Sequence, residues 1–188
     1  MKHIIYIHGF DGENSKKPSI LQEYFDKENY TLHSFNQNPL SPKTTLEDLK
    51  TQILKIKKSN SVFLIGSSRG SIYTFNVGQI CEVPYLLINP GFSPSDTVNE
   101  IMKERYGDET TNIIITELQN IIDENRTLNH NMNLENLFLS KNDELVDYTF
   151  FLEQIANPRT QQWFEDTHRF LKFKSTLPLI KDMIEYYC

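Results

Sequence analysis

The residues that most constrain this chain are 62–70, which read VFLIGSSRG. An apolar, β-branched run ends at Gly66, and Ser68 lies midway between Gly66 and Gly70. This G-x-S-x-G spacing is typical of a nucleophile elbow, a strained turn between a buried strand and a helix that raises a serine hydroxyl above the edge of a sheet. Glycines on both sides leave room for the strand and the helix to approach each other. An ordinary strand-to-helix turn is the alternative interpretation of the same letters.

Apolar spacing predicts that strands and helices alternate along most of the chain. The predicted strands cover residues 2–7, 30–36, 62–65, 84–88, 135–139 and 160–164. The predicted helices cover residues 19–29, 68–80, 145–155 and 177–187, and a further helix begins at Thr45 with Asp48 three residues later. This alternation favours a mostly parallel sheet of about six strands that is flanked by helices and connected by right-handed crossovers.

Residues 92–132 interrupt the alternation, because they contain helix-like stretches at 99–106 and 110–125 but no convincing strand. We therefore predict a single domain over residues 1–188, with a core at 1–91 and 133–188 and a helical cap at 92–132 over the active site. A peripheral pair of helices is an equally good interpretation of the insertion.

Side chains that could do chemistry follow the predicted strands, and the carboxyl ends of parallel strands share one edge of a sheet. Ser68, Asp143 and His168 each lie just past a predicted strand end. Their chain order is the one expected for a serine, acid and histidine triad on this type of scaffold. In such a triad Ser68 is the nucleophile, His168 takes and returns its proton, and Asp143 orients the imidazole. The backbone N–H groups of Phe10 and Arg69 would stabilise the oxyanion, and Gly9 would let the chain approach closely.

Other acids and histidines compete for these roles. Asp147 lies one helical turn beyond Asp143, and Asp166 lies two residues before His168. His8 lies beside the proposed oxyanion loop, where a structural hydrogen bond is the expected role. The remaining histidines, which have no spacing typical of partners, are His3, His33 and His130. Because the chain also lacks an H-E-x-x-H motif and a Cys/His pair, we expect neither a catalytic metal nor a cofactor.

The substrate pocket is expected to involve Gly9, Phe10, Arg69 and Phe92. Phe10 and Phe92 are the predicted lining, while other aromatic residues are assigned to the core. The side chain of Arg69 has two interpretations: it attracts a carboxylate-bearing substrate, or it forms a surface ion pair with a nearby glutamate.

Composition excludes several classes of protein. The 188 residues carry a formal net charge of −6 and no basic cluster, which argues against binding to a nucleic-acid backbone. A strand-like run follows Met1 directly, and no apolar run is long enough to span a bilayer, so we expect neither a secretion signal nor membrane insertion. Cys81 and Cys188 are interpreted as free thiols, so a cytoplasmic location is expected.

Five segments in order resemble the small YqiA/YcfP-like esterases of the α/β-hydrolase superfamily. They are YIHGF (6–10), IGSSRG (65–70), INP (88–90), NDELVDY (142–148) and THRF (167–170). The resemblance implies a compact α/β-hydrolase fold, serine esterase or thioesterase activity on a small molecule, and the same catalytic Ser68, Asp143 and His168. The chain departs from the family pattern at Ser140 and at Glu165–Asp166, where glycines are usual, and at Arg69, where an aliphatic residue is common.

Two further functions remain open at this stage. An acyltransferase would use the same three residues with an alcohol or thiol as the acceptor. A catalytically idle domain that binds a ligand or a partner would keep only the fold.

Overall fold

A six-stranded parallel sheet runs through the part of the chain that the computed structural model describes, residues 1–10, 12–26, 28–92, 97–127 and 131–188. Its strands are β1 (Lys2–Ile7), β2 (Tyr30–Phe35), β3 (Ser61–Ser67), β4 (Tyr85–Ile88), β5 (Glu135–Ser140) and β6 (Thr160–Phe164). The helices in the same residues are α1 (Lys17–Tyr24), α2 (Pro42–Lys57), α3 (Gly70–Ile80), α4 (Thr97–Tyr106), α5 (Asp108–Thr127), α6 (Thr149–Gln154) and α7 (Leu177–Tyr187). Short 3-10 helices cover Gly12–Asn14, Met132–Leu134 and Leu171–Thr176. The predicted parallel α/β architecture is therefore confirmed.

The strand order places the ends of β1 and β3 side by side. The sheet runs β2-β1-β3-β4-β5-β6, so the chain moves outward from β1 to β2 and then returns to form β3 on the other side of β1. Such a reversal opens a crevice at the carboxyl ends of the two strands. The loops after β1 and β3 consequently meet at this point.

Alternating side chains divide the core into two layers, one on each face of the sheet. In β1, Ile5 and Ile7 belong to the layer that contains residues of α2, α3 and α5. Ile4 and Tyr6 belong to the opposite layer, which contains residues of α1 and α7. This period of two is what a strand buried on both faces requires.

Several helices begin or end away from their predicted positions. Helix α2 begins at Pro42 rather than Thr45, because proline suits the first turn, and the Thr45 hydroxyl instead contacts Asn38. Helix α1 likewise has a proline in its first turn and covers 17–24 rather than 19–29. Helix α6 covers only 149–154 rather than 145–155, because the preceding backbone turns around Asp143.

The predicted insertion between β4 and β5 contains α4 and α5. Helix α5 packs against α2 and α3, and Met102 of α4 is fully buried. Closure of this pair over the active site stays a prediction. Of the helices in the described ranges, none combines the length and apolar character that crossing a bilayer requires.

Candidate active site

The loop after β3 forms a strained turn at Ser68. The φ angle of Ser68 is 53°, in the left-handed region that L-residues other than glycine seldom adopt. Its N–H donates to the Ile88 carbonyl at 2.9 Å, and its carbonyl accepts from Ser71 and Gly91 at 2.9 and 3.1 Å. These bonds stabilise the strained conformation of Ser68. Helix α3 therefore begins at Gly70, whereas the prediction placed its start at Ser68.

Two glycines permit the close packing around this turn. A Cβ atom at Gly66 would lie 2.3 Å from the Thr74 hydroxyl, and one at Gly70 would lie 2.4 Å from the His8 carbonyl oxygen. Both contacts are too short for a carbon atom. The flanking glycines of the motif are thus explained by the approach of β3, α3 and the loop after β1.

The structure brings Ser68, His168 and Asp143 together, although Ser68 and His168 are 100 residues apart in the chain. The Nε2 atom of His168 lies 2.9 Å from Ser68 Oγ. Its Nδ1 atom lies 2.9 and 3.0 Å from the two carboxylate oxygens of Asp143. The imidazole is therefore in hydrogen-bond contact with a hydroxyl on one side and a carboxylate on the other.

The Asp143 carboxylate is buried and heavily hydrogen-bonded. The backbone N–H groups of Leu145 and Val146 each donate to Oδ1 at 2.9 Å, and the Tyr148 hydroxyl donates to Oδ2. Burial disfavours the ionised carboxyl, but hydrogen bonds from His168 and Tyr148 outweigh it and hold the pKa of Asp143 below its ordinary value. The carboxylate is thus kept charged and oriented.

Asn89 connects the loops that carry the acid and the histidine. This residue has a φ of 48° and is fully buried. Its side-chain N–H₂ group donates to Ser140 Oγ at 2.9 Å and to the carbonyls of Thr167 and His168 at 3.2 and 3.0 Å. Its side-chain oxygen accepts from the Ser140 N–H at 2.9 Å. One amide therefore fixes three strand ends relative to each other.

The competing acids have other contacts. Asp166 accepts the backbone N–H groups of Thr167, Leu171 and Lys172, so it stabilises the loop around the histidine. The carboxylate of Asp147 accepts the N–H of Thr149 at the start of α6. Only Asp143, of the three acids considered from the sequence, contacts the ring of His168 in the structure.

The loop after β1 lies against the serine. A Cβ atom at Gly9 would lie 2.9 Å from Ser68 Cβ, so this close approach needs glycine. Within the described residues, the backbone N–H groups of Phe10 and Arg69 donate to no other group. A Cβ atom at Gly91 would lie 3.4 Å from the Arg69 nitrogen and 3.7 Å from Ser68 Oγ, so glycine leaves space beside both atoms.

A cavity of about 750 Å³ opens beside the serine and the histidine. Gly9 and Phe10 line it, whereas Phe92 does not. The prediction that Phe92 lines this pocket is wrong: its side chain is 1% exposed and its ring stacks on Phe151, with the centroids 4.4 Å apart. The chain turns sharply after β4 and carries this side chain into the core.

The side chain of Arg69 forms no ion pair with a described residue. Its Nη1 atom lies 2.7 Å from the Met102 sulfur, and its guanidinium lies 5.2 Å from the centre of the Phe10 ring. The expected surface ion pair is therefore wrong, because the side chain is largely covered by Phe10 and α4. Attraction of a carboxylate-bearing substrate by Arg69 stays a prediction.

The other histidines have structural contacts. His8 is buried, and its Nε2 atom lies 2.6 Å from the Ser34 hydroxyl. His3 and His33 contact each other, with Nδ1 and Nε2 2.8 Å apart, because the parallel pairing of β1 and β2 brings them together. Sequence spacing did not indicate this pair. His130 lies outside the described residues.

Sequence reasoning missed Asn89 and Tyr148. The sequence places Asn89 at the end of a predicted strand and in a segment shared with a family but predicts no role for it, and it predicts Tyr148 as a core residue. The available signal for Asn89 was its position directly after a buried strand, the same signal that identified Ser68. Tyr148 carried no such signal, because its contact depends on the path of the loop after Asp143.

Comparisons with known proteins agree on the family and the fold. A family model described as "Uncharacterised protein family (UPF0227)" matches residues 3–185. A UPF0227 protein of Vibrio cholerae serotype O1 is 24% identical over an alignment of 186 positions, which covers 95% of this chain and 97% of that protein. A solved chain from work on the metagenome-derived lipolytic enzymes LipS and LipT has a TM-score of 0.72 at 14% identity and covers 98% of this chain and 94% of its own. A lipase-esterase related protein from Clostridium acetobutylicum has a TM-score of 0.66 at 16% identity, with 100% and 94% covered. The fold is that of the α/β-hydrolases.

Proposed function

This chain belongs to the UPF0227 family, and from that premise we propose that it is a serine hydrolase acting on small carboxylic esters or thioesters. The observation that carries the proposal is the 2.9 Å separation of Ser68 Oγ and His168 Nε2 at the carboxyl edge of an α/β-hydrolase sheet. The names of the solved neighbours support the same class by analogy of fold.

In the proposed acylation step, Ser68 Oγ attacks the carbonyl carbon of the ester while its proton passes to His168 Nε2. The carbonyl oxygen becomes an oxyanion, which accepts hydrogen bonds from the N–H groups of Phe10 and Arg69. The carbon–oxygen or carbon–sulfur bond then breaks, and the imidazolium returns the proton to the leaving alcohol or thiol. An acyl group remains on Ser68.

Deacylation repeats these steps with water. The imidazole of His168 takes a proton from water, the resulting nucleophile attacks the acyl carbon, and the proton returns to Ser68 Oγ as the carboxylic acid leaves. Asp143 stabilises the imidazolium in both steps because its carboxylate stays ionised and contacts Nδ1. Loss of one oxyanion donor in such a site typically costs about 3 kcal/mol of the barrier.

Covalent labelling tests the proposal. A fluorophosphonate probe is expected to label the wild-type chain at Ser68, and Ser68→Ala is expected to abolish labelling and ester hydrolysis. Ser71→Ala is the matched control, because it removes a buried hydroxyl one turn along in α3 and should still be labelled. A Ser68→Ala variant that folds and hydrolyses esters at the wild-type rate would contradict the proposal.

A further inference from the structure

Three basic residues are among those that line the cavity beside Ser68. Lys16 and Lys17 lie at the start of α1, and Arg169 directly follows His168. Among the cavity-lining side chains that the structure describes, none is a carboxylate; residue 11 and the side chain of residue 13 are not described. The described side chains that line the cavity thus carry a net positive charge, whereas the chain as a whole carries a formal net charge of −6.

Lys16 and Arg169 are exposed, whereas Lys17 is half-buried and interacts electrostatically with the Asp166 carboxylate. None of the three forms an ion pair within the described residues. The ammonium of Lys17 donates a hydrogen bond to the Arg169 carbonyl at 2.8 Å. That bond also connects α1 to the loop that carries His168.

Apolar residues also line the same cavity. Ile20 of α1 is partly buried, and Leu171 is 74% exposed at the rim. A ligand there would contact apolar surface and cations together, within the cavity that holds Ser68 and His168. This is the arrangement expected for a substrate with an apolar part and a negative charge.

We propose that the cavity selects esters that carry an anionic group, a carboxylate or a phosphate, held by Lys16, Lys17 and Arg169. The inference rests on the proposed function, since it names the substrate class of the same site. Each cation would contribute as a partly exposed ion pair, so losing two of them should lower the preference about tenfold. High salt should weaken the preference as well.

The test compares esters that differ only in charge. One pair, 4-carboxyphenyl butyrate and 4-carbamoylphenyl butyrate, carries the charge on the alcohol. A second pair, monophenyl glutarate and the corresponding glutaramic acid phenyl ester, carries it on the acyl group. A fifth ester, 4-phosphonooxyphenyl butyrate, replaces the carboxylate of the first pair by a phosphate and is compared with the same neutral partner, 4-carbamoylphenyl butyrate. The measured quantity is the ratio of kcat/KM for the charged ester to that for its neutral partner.

The wild-type chain is expected to prefer the charged member in at least one pair, and the double variant Lys16→Gln/Arg169→Gln should lower that ratio about tenfold. Lys55→Gln/Lys58→Gln is the control, because it removes the same charge from exposed positions at the end of α2, on the other face of the sheet. Equal ratios in both double variants would overturn the proposal. The proposal would also be overturned if the ratio of kcat/KM changed only in Arg69→Leu, since the anion would then contact a different cation.

The failure of this inference and the failure of the proposed function give different results. A chain that is labelled by the fluorophosphonate and hydrolyses the neutral esters, but shows no charge preference, contradicts only the anionic substrate class. A chain that is neither labelled nor active contradicts the proposed function and this inference together.

Discussion

A buried carboxyl group at the amino end of β5 should make the stability of this protein depend on pH. Glu135 is 1% exposed, and its Oε2 atom accepts a hydrogen bond from Tyr85 at 3.2 Å. Burial raises the pKa of Glu135 to about 7, against smaller opposing effects of hydrogen bonds from Tyr85 and the backbone of Asn157. The group therefore binds a proton in the folded state at a pH where the unfolded chain has lost it.

The sign and size of the effect follow from this difference. A carboxyl whose folded pKa is raised stabilises the protein below its unfolded pKa, and that contribution is lost as pH rises toward the folded pKa. With an ordinary value of 4.5 and a folded value of about 7, the complete loss is about 3 kcal/mol at 1.36 kcal/mol per pH unit. Between about pH 5 and about pH 7.5 the expected loss is about 2 kcal/mol.

The assay is urea unfolding of wild type and Glu135→Gln at these two pH values. The variant lacks the titrating group, so its free energy of unfolding relative to that of wild type should increase by about 2 kcal/mol from the lower to the higher pH. Other titrating groups are common to both proteins and cancel in the difference. Glu23→Gln removes an exposed carboxylate of α1 and serves as the control for the loss of one carboxylate. Parallel curves for wild type and Glu135→Gln would refute the reasoning.

Two predictions concern the active site. Gly91→Ala places a methyl group 3.4 Å from the Arg69 nitrogen, which is an ordinary contact, so the free energy of unfolding in urea should change little. Because the proposed oxyanion accepts a hydrogen bond from that nitrogen, the added methyl group should lower kcat for a neutral ester about tenfold or more. An unchanged kcat would show that the oxyanion lies elsewhere. Tyr148→Phe removes a hydrogen bond that lowers the pKa of Asp143, so kcat/KM should fall about tenfold. The loss should grow as the pH is lowered, because the carboxylate of the variant takes up a proton at a higher pH than the carboxylate of wild type. A pH–rate profile parallel to that of wild type would contradict the second prediction.

The features that the sequence predicted best have local causes. The turn at Ser68 follows from a buried strand and two glycines whose missing side chains are needed for packing. Helix α7 begins and ends where the apolar spacing predicts, at 177 and 187, and β6 does so at 160 and 164. In each case the residues that determine the element lie within it or directly beside it.

The features that the sequence did not predict depend on contacts between distant segments. The ring of Phe92 lies in the core because Phe151 of α6 stacks on it, and no pattern near residue 92 indicates that partner. Arg69 contacts Met102 of the insertion, so its surroundings depend on how α4 packs. The path of the loops likewise determines which acid contacts His168, since Asp143, Asp147 and Asp166 all follow neighbouring strand ends.

Asn89 joins loops that follow three different strands, and the reacting groups come from both halves of the chain. Cutting the polypeptide between β4 and β5 would leave the hydroxyl of Ser68 on one fragment and the imidazole of His168 on the other. Under the proposed chemistry, neither fragment alone would hydrolyse an ester, whereas two fragments that reassociate would bring Ser68, His168 and the Asn89 amide together again. Under the proposed chemistry, recovered turnover would then report completed assembly of the sheet, and the protein could serve as a two-fragment sensor of association.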